Sequence, residues 1–201
     1  AQTKRTGEEM MEIVLAAEAQ SPQVPAALGA IAAEFRRLGV TTGSHDDDSA
    51  ETRAFYRSIG APIAEFPTTL DAARAAHAAG EPVLMGAPNV VRGGSQTGNI
   101  AAEALIAEGL VDALMSDYYY PALAQSAFAL VDRGSLRLPQ AWEMISATPA
   151  RIMGLSDRGH LKAGARADIA VVNAKTHRVE MTLCQGRIAH LAGELARRIW
   201  A

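Results

Sequence analysis

Histidine and carboxylate side chains follow predicted strands in this 201-residue sequence. His45 and three consecutive aspartates, Asp46–Asp48, come directly after a β-branched run in "GVTTGSHDDDSAETRAFYRSIG" (39–60), and Asp117 follows an apolar run in "LVDALMSDYYYP". A neutral imidazole and a carboxylate are ordinary ligands of zinc and similar divalent ions, which convert bound water to hydroxide near neutral pH. A single histidine and a single aspartate are equally compatible with simple capping of a strand and a helix.

The neighbouring carboxylates admit several roles. One aspartate of the run can accept a hydrogen bond from the second ring nitrogen of His45, and Asp46 is also a candidate for binding substrate. Another can cap the following helix, and for Asp48 a solvated acidic loop is the preferred interpretation. Glu65 ends the apolar run "IAEFP", where a carboxylate is either paired or a metal ligand.

The segment "RGGSQTGN" (92–99) lies between a predicted strand and a predicted helix. Paired glycines allow close approach of the backbone to a ligand, and free N–H groups at a helix start bind anions. A guanidinium adds a fork for phosphate. The segment lacks the Gly-Lys-Ser/Thr of a P-loop, so an ordinary flexible loop is the alternative. The candidate phosphate-binding residues are Arg92, Gly93, Gly94, Ser95 and Asn99.

Hydrophobic periodicity predicts the elements that must position these residues. The first forty residues have helical spacing, and four strand–helix units follow in about 95 residues. Such alternation predicts an α/β fold with a parallel sheet, whose ligands gather at the carboxyl ends of the strands. Four units cannot close an eight-stranded barrel, so the sheet is either open or half of a barrel. Beyond Asp157, short β-rich runs predict two or three antiparallel strands and a final helix.

Charge, hydropathy and cysteine content limit what the protein can bind and where it can be located. The net charge is −3, which gives no indication of nucleic acid or of an anionic membrane. No apolar run approaches the roughly 18 residues of a membrane span, and no signal peptide opens the chain. Cys184 is the only cysteine, so neither an internal disulfide nor a cysteine-based zinc site can form. We expect a cytoplasmic protein.

The segment "GHLKAGARADIAVVN" (159–173) resembles the C-terminal signature of the amidohydrolase superfamily, and "ATPARIMGL" (147–155) resembles the helix before it. The resemblance implies the C-terminal half of a metal-dependent TIM barrel, strands five to eight, with an N-terminal helical insertion, in residues 1–156. Residues 157–201 then form the C-terminal part of a small β-domain. His45 and Asp117 match metal-binding positions on the fifth and last strands. Glu65 stands where the superfamily usually has a histidine.

Four motifs, "SHDDD", "IAEFPTT", "MGAPNVVRGGSQTGN" and "LMSDYYYP", are similar to those of the ribosyl triphosphate diphosphatases of phosphonate catabolism. That resemblance implies cleavage of a ribose 5-triphosphate to the 5-phosphate and pyrophosphate, with a divalent metal, zinc being the expected one, bound by His45, Glu65 and Asp117. Asp117 would also be catalytic. The alternatives are another amidohydrolase, such as a deaminase or cyclic amidase, and a non-catalytic, self-associating half-barrel.

The His-x-His pair of the superfamily's first strand does not occur in the 201 residues. We therefore expect the chain to be a fragment that is inactive alone. We also expect it to form a homo-oligomer or to associate with a missing N-terminal half, because four strands of a barrel leave two edges unpaired.

Overall fold

The computed structural model describes residues 5–95 and 98–200, in which two β-sheets are accompanied by ten α-helices. The strands of the first sheet are β1 (Gly43–His45), β2 (Ile63–Glu65), β3 (Val83–Gly86) and β4 (Ala113–Met115). Those of the second are β5 (Ile169–Val172), β6 (Val179–Cys184) and β7 (Arg187–Leu191).

Helices fill the predicted positions between and around the strands. They are α1 (Gly7–Glu18), α2 (Val24–Arg37), α3 (Ala50–Ser58), α4 (Leu70–Ala78), α5 (Ala87–Arg92), α6 (Ala102–Ala107), α7 (Ala122–Asp132), α8 (Leu138–Glu143), α9 (Ala147–Ile152) and α10 (Gly193–Trp200). Among the described residues, no helix is long and apolar enough to cross a membrane.

Local sequence signals explain where several helices begin. Ser49 caps α3, because its side chain accepts a hydrogen bond from the N–H of Thr52. Ser21 stands before a proline but does not cap α2, since it begins a 3₁₀ turn and α2 starts only at Val24. Thr6 instead forms a capping box with Glu9 at the start of α1.

The first sheet is parallel and runs in the order β1-β2-β3-β4, which confirms the predicted parallel sheet. Its register places His45 beside Glu65, Glu65 beside Leu84, and Leu84 beside Ala113. Because side chains alternate along a strand, this row lies on one face of the sheet. The carboxyl ends of all four strands therefore meet at one edge.

The core lies between this sheet and its helices. Leu105, Leu130 and Val90, from three different helices, are fully buried and cluster with Leu114 of β4. Small residues permit close packing elsewhere, since many alanines of the core are completely buried. Few aromatic side chains are therefore needed, as the composition suggests.

A buried group of charged side chains joins α3 to the first two strands. The side chains of Asp47 and Arg53 have no exposed surface, and Arg53 Nη1 lies 2.9 Å from Asp47 Oδ2. Arg53 Nε lies 3.2 Å from Glu81 Oε2, and Glu81 also accepts a hydrogen bond of 2.7 Å from Arg57 Nε. Buried ions are stable only when they are paired and hydrogen-bonded, so these groups depend on one another.

The second sheet is antiparallel and runs in the order β5-β6-β7, as the β-rich runs predict. The carboxylate of Glu180 accepts hydrogen bonds from Asn173 Nδ2 and from the N–H of Leu195, at 3.0 and 3.1 Å. These bonds attach α10 to β6. The domain boundary after residue 156 remains a prediction.

The N-terminal helices carry exposed apolar side chains. None of the residues of α1 is buried, and only Ala32 is buried in α2. The exposed ones include Met11, Leu15 and Ile31.

The buried ion pair generates a stability prediction. Arg53→Met leaves the carboxylate of Asp47 buried without its cation, so we expect a loss of about 3–5 kcal/mol in the free energy of unfolding. Urea denaturation followed by circular dichroism measures it. Arg37→Met is the matched control, because Arg37 pairs with Glu34 at an exposed site and its loss should change the midpoint little. Equal midpoint shifts in the two variants would contradict the prediction.

Candidate functional site

A cavity of about 210 Å³ opens at the carboxyl edge of the parallel sheet. Five of the predicted site residues line it: Asp46, Arg92, Ser95, Asn99 and Asp117. They come from the turn after β1, the end of α5 with the segment beyond it, and the turn after β4. The cavity therefore collects residues from distant parts of the chain at the edge where parallel sheets bind ligands.

Left-handed backbone conformations mark three of the four strand ends. Asp46, Phe66 and Asp117 have φ angles of 61°, 52° and 51°, respectively. Such angles are uncommon outside glycine and cost of the order of 1–3 kcal/mol each, so surrounding structure must hold them. The N–H of Asp46 donates to the carbonyl of Glu65 and that of Phe66 to the carbonyl of Leu84, which fixes the first two turns.

His45 lies beside the cavity without lining it. Its Nδ1 is 3.2 Å from Oδ2 of Asp46, and its ring makes an edge-to-face contact with Phe66, with centroids 5.3 Å apart. Glu65 is next to His45 in the sheet register but does not line the cavity either. Of the three proposed metal ligands, Asp117 alone lines this cavity.

The three proposed metal ligands are also not brought together. No group of three His, Cys, Asp or Glu side chains that could hold a metal ion occurs in residues 5–95 and 98–200. His45 and Glu65 are neighbours in the sheet register, and of the three proposed ligands Asp117 alone lines the cavity. The described residues therefore do not form a complete metal site by themselves.

The predicted phosphate loop differs from expectation. Residues 89–92, predicted as loop, belong to α5, and Gly93 is its left-handed C-cap with φ 78°. The N–H groups of Gly93 and Gly94 donate to the carbonyls of Asn89 and Val90 at 3.1 Å. These two N–H groups close a helix C-terminus and are not free donors for phosphate, contrary to the prediction. Residues 96 and 97 of the motif lie outside the described residues.

Arg92 remains available to a ligand at the cavity. It is exposed, and its Nη1 donates a hydrogen bond of 3.0 Å to the hydroxyl oxygen of Tyr118. Tyr118 also lines the cavity and is 70% exposed. This hydrogen bond fixes the orientation of the guanidinium. The remaining N–H groups of Arg92 can bind an anion in the cavity.

The three consecutive aspartates have three different environments. Asp46 faces His45 and the cavity, Asp47 is buried against Arg53, and Asp48 is exposed at the start of α3. Hydrogen bonds from the hydroxyls of Thr52, at 2.7 Å, and Ser49 lower the pKa of Asp48 from its ordinary value.

Some residues of the site carry no clear signal in the sequence. Phe66 lines the cavity, and its ring approaches Gly86, where an added Cβ would lie 3.4 Å from Cε1. Asn89 lines the cavity and accepts a hydrogen bond from the N–H of Ala102, which ties α5 to α6. The pairing of Asp47 with Arg53 depends on packing and could not be inferred from residue spacing.

Comparison with known proteins agrees with this fold. A family model described as "Amidohydrolase family" matches residues 94–190. A solved amidohydrolase structure aligns with a TM-score of 0.63 and 17% identity, over 83% of this chain and 48% of that chain. The family model matches slightly less than half of the chain, and the solved structure shows a similar fold.

Two curated relatives refine the comparison. The chain is 44% identical over 153 residues to alpha-D-ribose 1-methylphosphonate 5-triphosphate diphosphatase of Escherichia coli strain K12, which is 75% of this chain and 40% of that protein. It is 34% identical over 101 residues to dihydroorotase of Citrifermentans bemidjiense, 40% of this chain and 24% of that one. The chain spans less than half the length of either relative.

The environment of Asp48 generates a prediction about pH. Thr52→Val removes the hydroxyl that donates to Asp48, so the pKa of this carboxyl should rise toward its ordinary value. Because the native pKa is lowered, the associated stabilisation is complete above the ordinary aspartate pKa and is lost as pH falls through the lowered one. NMR titration of the side-chain carboxyl carbon measures the change.

Thr68→Val is the control for this titration. The hydroxyl of Thr68 donates to the main-chain carbonyl of Asp47 at 3.3 Å and not to a carboxylate. The pKa of Asp48 should therefore remain low in this variant, and an unchanged pKa in Thr52→Val would show that the hydroxyl is not its cause.

Proposed function

We propose that this chain is part of a phosphoric anhydride hydrolase that cleaves a ribose 5-triphosphate, such as α-D-ribose 1-methylphosphonate 5-triphosphate, to the 5-phosphate and pyrophosphate in phosphonate catabolism. The observation that carries the proposal is the 44% identity to the E. coli diphosphatase over 153 residues. The cavity supports it, because an exposed guanidinium lies there beside two aspartates and four neutral polar residues.

The residues of the cavity divide into two groups by charge. Arg92 would bind a phosphate group through two parallel N–H···O bonds, with Ser95 and Asn99 as further polar contacts. Asp46 would accept hydrogen bonds from sugar hydroxyls. The guanidinium attracts the phosphate groups of the substrate, and the carboxylates repel them. The triphosphate would therefore lie toward Arg92 and the sugar toward Asp46.

Asp117 is the proposed catalytic residue. A water molecule attacks the α-phosphorus, Asp117 takes its proton, and the bond from the α-phosphorus to the bridging oxygen breaks with pyrophosphate as the leaving group. Divalent metal dependence, with zinc as the expected ion and His45, Glu65 and Asp117 as ligands, remains a prediction. The described residues do not assemble those ligands, so further ligands would be required.

The four parallel strands are proposed to correspond to strands five to eight of a TIM barrel. Solved amidohydrolase-type neighbours align with 82–83% of this chain but only 48–49% of their own length, which supports this assignment. If the four strands are half of a barrel, we also propose that the chain associates, either with a second copy of itself or with a further segment. Analytical sedimentation and activity of the 201 residues test it, and a stably folded monomer with full activity would contradict it.

A cyclic amidase is the second candidate function, because the dihydroorotase relative matches over 101 residues. Assays of the full-length protein with added divalent metal separate the two. ³¹P NMR should show equal amounts of pyrophosphate and ribosyl 5-phosphate, whereas absorbance should show no hydrolysis of dihydroorotate. Turnover of dihydroorotate without turnover of the triphosphate would overturn the first proposal.

A substitution at Arg92 tests the phosphate contact. Arg92→Ala in the full-length protein should weaken binding of the triphosphate by about tenfold or more, because a charge-assisted bond contributes about 1.5–3 kcal/mol. Titration calorimetry measures the affinity. Arg74→Ala is the matched control, since Arg74 pairs with Glu108 at an exposed site and does not line the cavity. Equal affinity in Arg92→Ala and the unaltered protein would exclude this role.

A further inference from the structure

We propose that the buried Asp47–Arg53 pair positions Asp46 for recognition of the sugar hydroxyls of the substrate. The inference rests on the proposed function and extends it to residues that do not touch the cavity. Asp47 follows Asp46 directly in the chain, and neither Asp47 nor Arg53 lines the cavity. Both are therefore positioning residues.

The contacts of Arg53 immobilise the chain on both sides of Asp46. Its Nη1 donates to Ser44 Oγ at 2.6 Å and to Asp47 Oδ2 at 2.9 Å, and Ser44 Oγ donates in turn to the same carboxylate oxygen at 2.6 Å. Ser44 lies two residues before Asp46 and Asp47 one residue after it. The two anchors leave Asp46 little freedom to change its backbone conformation.

Arg53 also fixes the position of the second strand. Nη1 donates to the carbonyl of Ile63 at 3.2 Å, and Nη2 donates to the carbonyl of Ala61. The carbonyl of Asp47 accepts a hydrogen bond of 2.9 Å from the N–H of Thr68, in the turn after β2. The pair thus connects the turns that carry Asp46 and Phe66, both of which line the cavity.

The left-handed backbone of Asp46 requires such support. A φ of 61° is unfavourable for an aspartate, and an unsupported turn would relax toward a common conformation. Relaxation would carry the carboxylate away from the cavity and from His45 Nδ1, which lies 3.2 Å away. A carboxylate must be held in place to accept hydrogen bonds from two sugar hydroxyls, so the buried pair determines how well Asp46 recognises a ribose.

The relative affinity for two ligands distinguishes a positioning effect on Asp46 from a general loss of stability. We define the preference as the dissociation constant of inorganic tripolyphosphate divided by that of ribose 5-triphosphate, measured by calorimetry on the full-length protein below its melting temperature. Asp46→Asn should lower it about tenfold, the size expected for a lost hydrogen bond to a charged group. Arg53→Met should lower it by a similar factor with Asp46 unchanged in sequence.

Asp47→Asn is the second variant, in case Arg53→Met fails to fold. Asp47 uses Oδ2 for its hydrogen bonds, while Oδ1 has no hydrogen-bond partner among the described residues. Asparagine can keep an oxygen at the bonded position, so this variant should fold and lower the preference in the same direction, because it removes the charge that holds Arg53.

Arg57→Met is the matched control. Arg57 donates to both oxygens of Glu81, at 2.7 and 2.9 Å, so its loss disturbs the same group of buried charges. It contacts neither Ser44 nor Asp47 in any of these bonds. The variant should be less stable, yet its ligand preference should equal that of the unaltered protein. A preference that falls equally in Arg57→Met would show a general effect of instability and would overturn the proposal.

Hydrogen exchange provides a readout that needs no ligand. In Arg53→Met and Asp47→Asn, the N–H groups of Asp46 and Thr68 should exchange at least about tenfold faster relative to the N–H of Leu110, which bonds to Leu105 at 3.0 Å in another part of the fold. If the N–H groups of Asp46 and Thr68 exchange at unchanged relative rates in these variants, the proposal is overturned. It is also overturned if these groups exchange faster but the ligand preference does not change. Absence of ribose 5-triphosphate binding in the unaltered protein would contradict the proposed function, and exchange alone would then decide whether the pair holds this turn.

Discussion

The buried guanidinium of Arg53 is the interaction on which the carboxyl edge of the sheet depends. A cation without exposed surface is stable only when acceptors surround it, and here α3 supplies the cation while the first two strands and the residues next to them supply acceptors. One side chain therefore fixes a helix, a strand and the next strand relative to one another. The turns at the ends of β1 and β2, with their left-handed residues, are built on this fixed base.

The same constraint explains how three adjacent aspartates coexist. Asp47 is neutralised by Arg53, and hydroxyl groups at the start of α3 stabilise the charge of Asp48. Asp46 alone is directed to the cavity, because its left-handed backbone turns the chain between β1 and the buried pair. Repulsion between neighbouring carboxylates is reduced because each one has a different partner.

The cavity has a guanidinium on one side and carboxylates on the other, and the proposed ribosyl triphosphate substrate would use both. Arg92 is oriented by Tyr118, and Asp117 reaches the cavity from the last strand of the sheet. Asp46, after β1, and Asp117, after β4, both line the cavity, whereas His45 lies beside it. The chain spans 40% of the length of the E. coli relative, which is compatible with a site that needs further residues.

The sequence by itself determined the alternation of strands and helices, the parallel and antiparallel sheets, the cap at Ser49 and the placement of Arg92 and Asp117 near a strand edge. These features follow from periodic burial and from contacts between near neighbours, which a linear pattern records. Tertiary structure decided that residues 87–92 are a helix, because Val90 is buried against other helices, and that the glycines after them close its end. It also decided which aspartate is buried, since that choice depends on Arg53 and Glu81, whose approach is set by packing and is not visible in the spacing of residues along the chain.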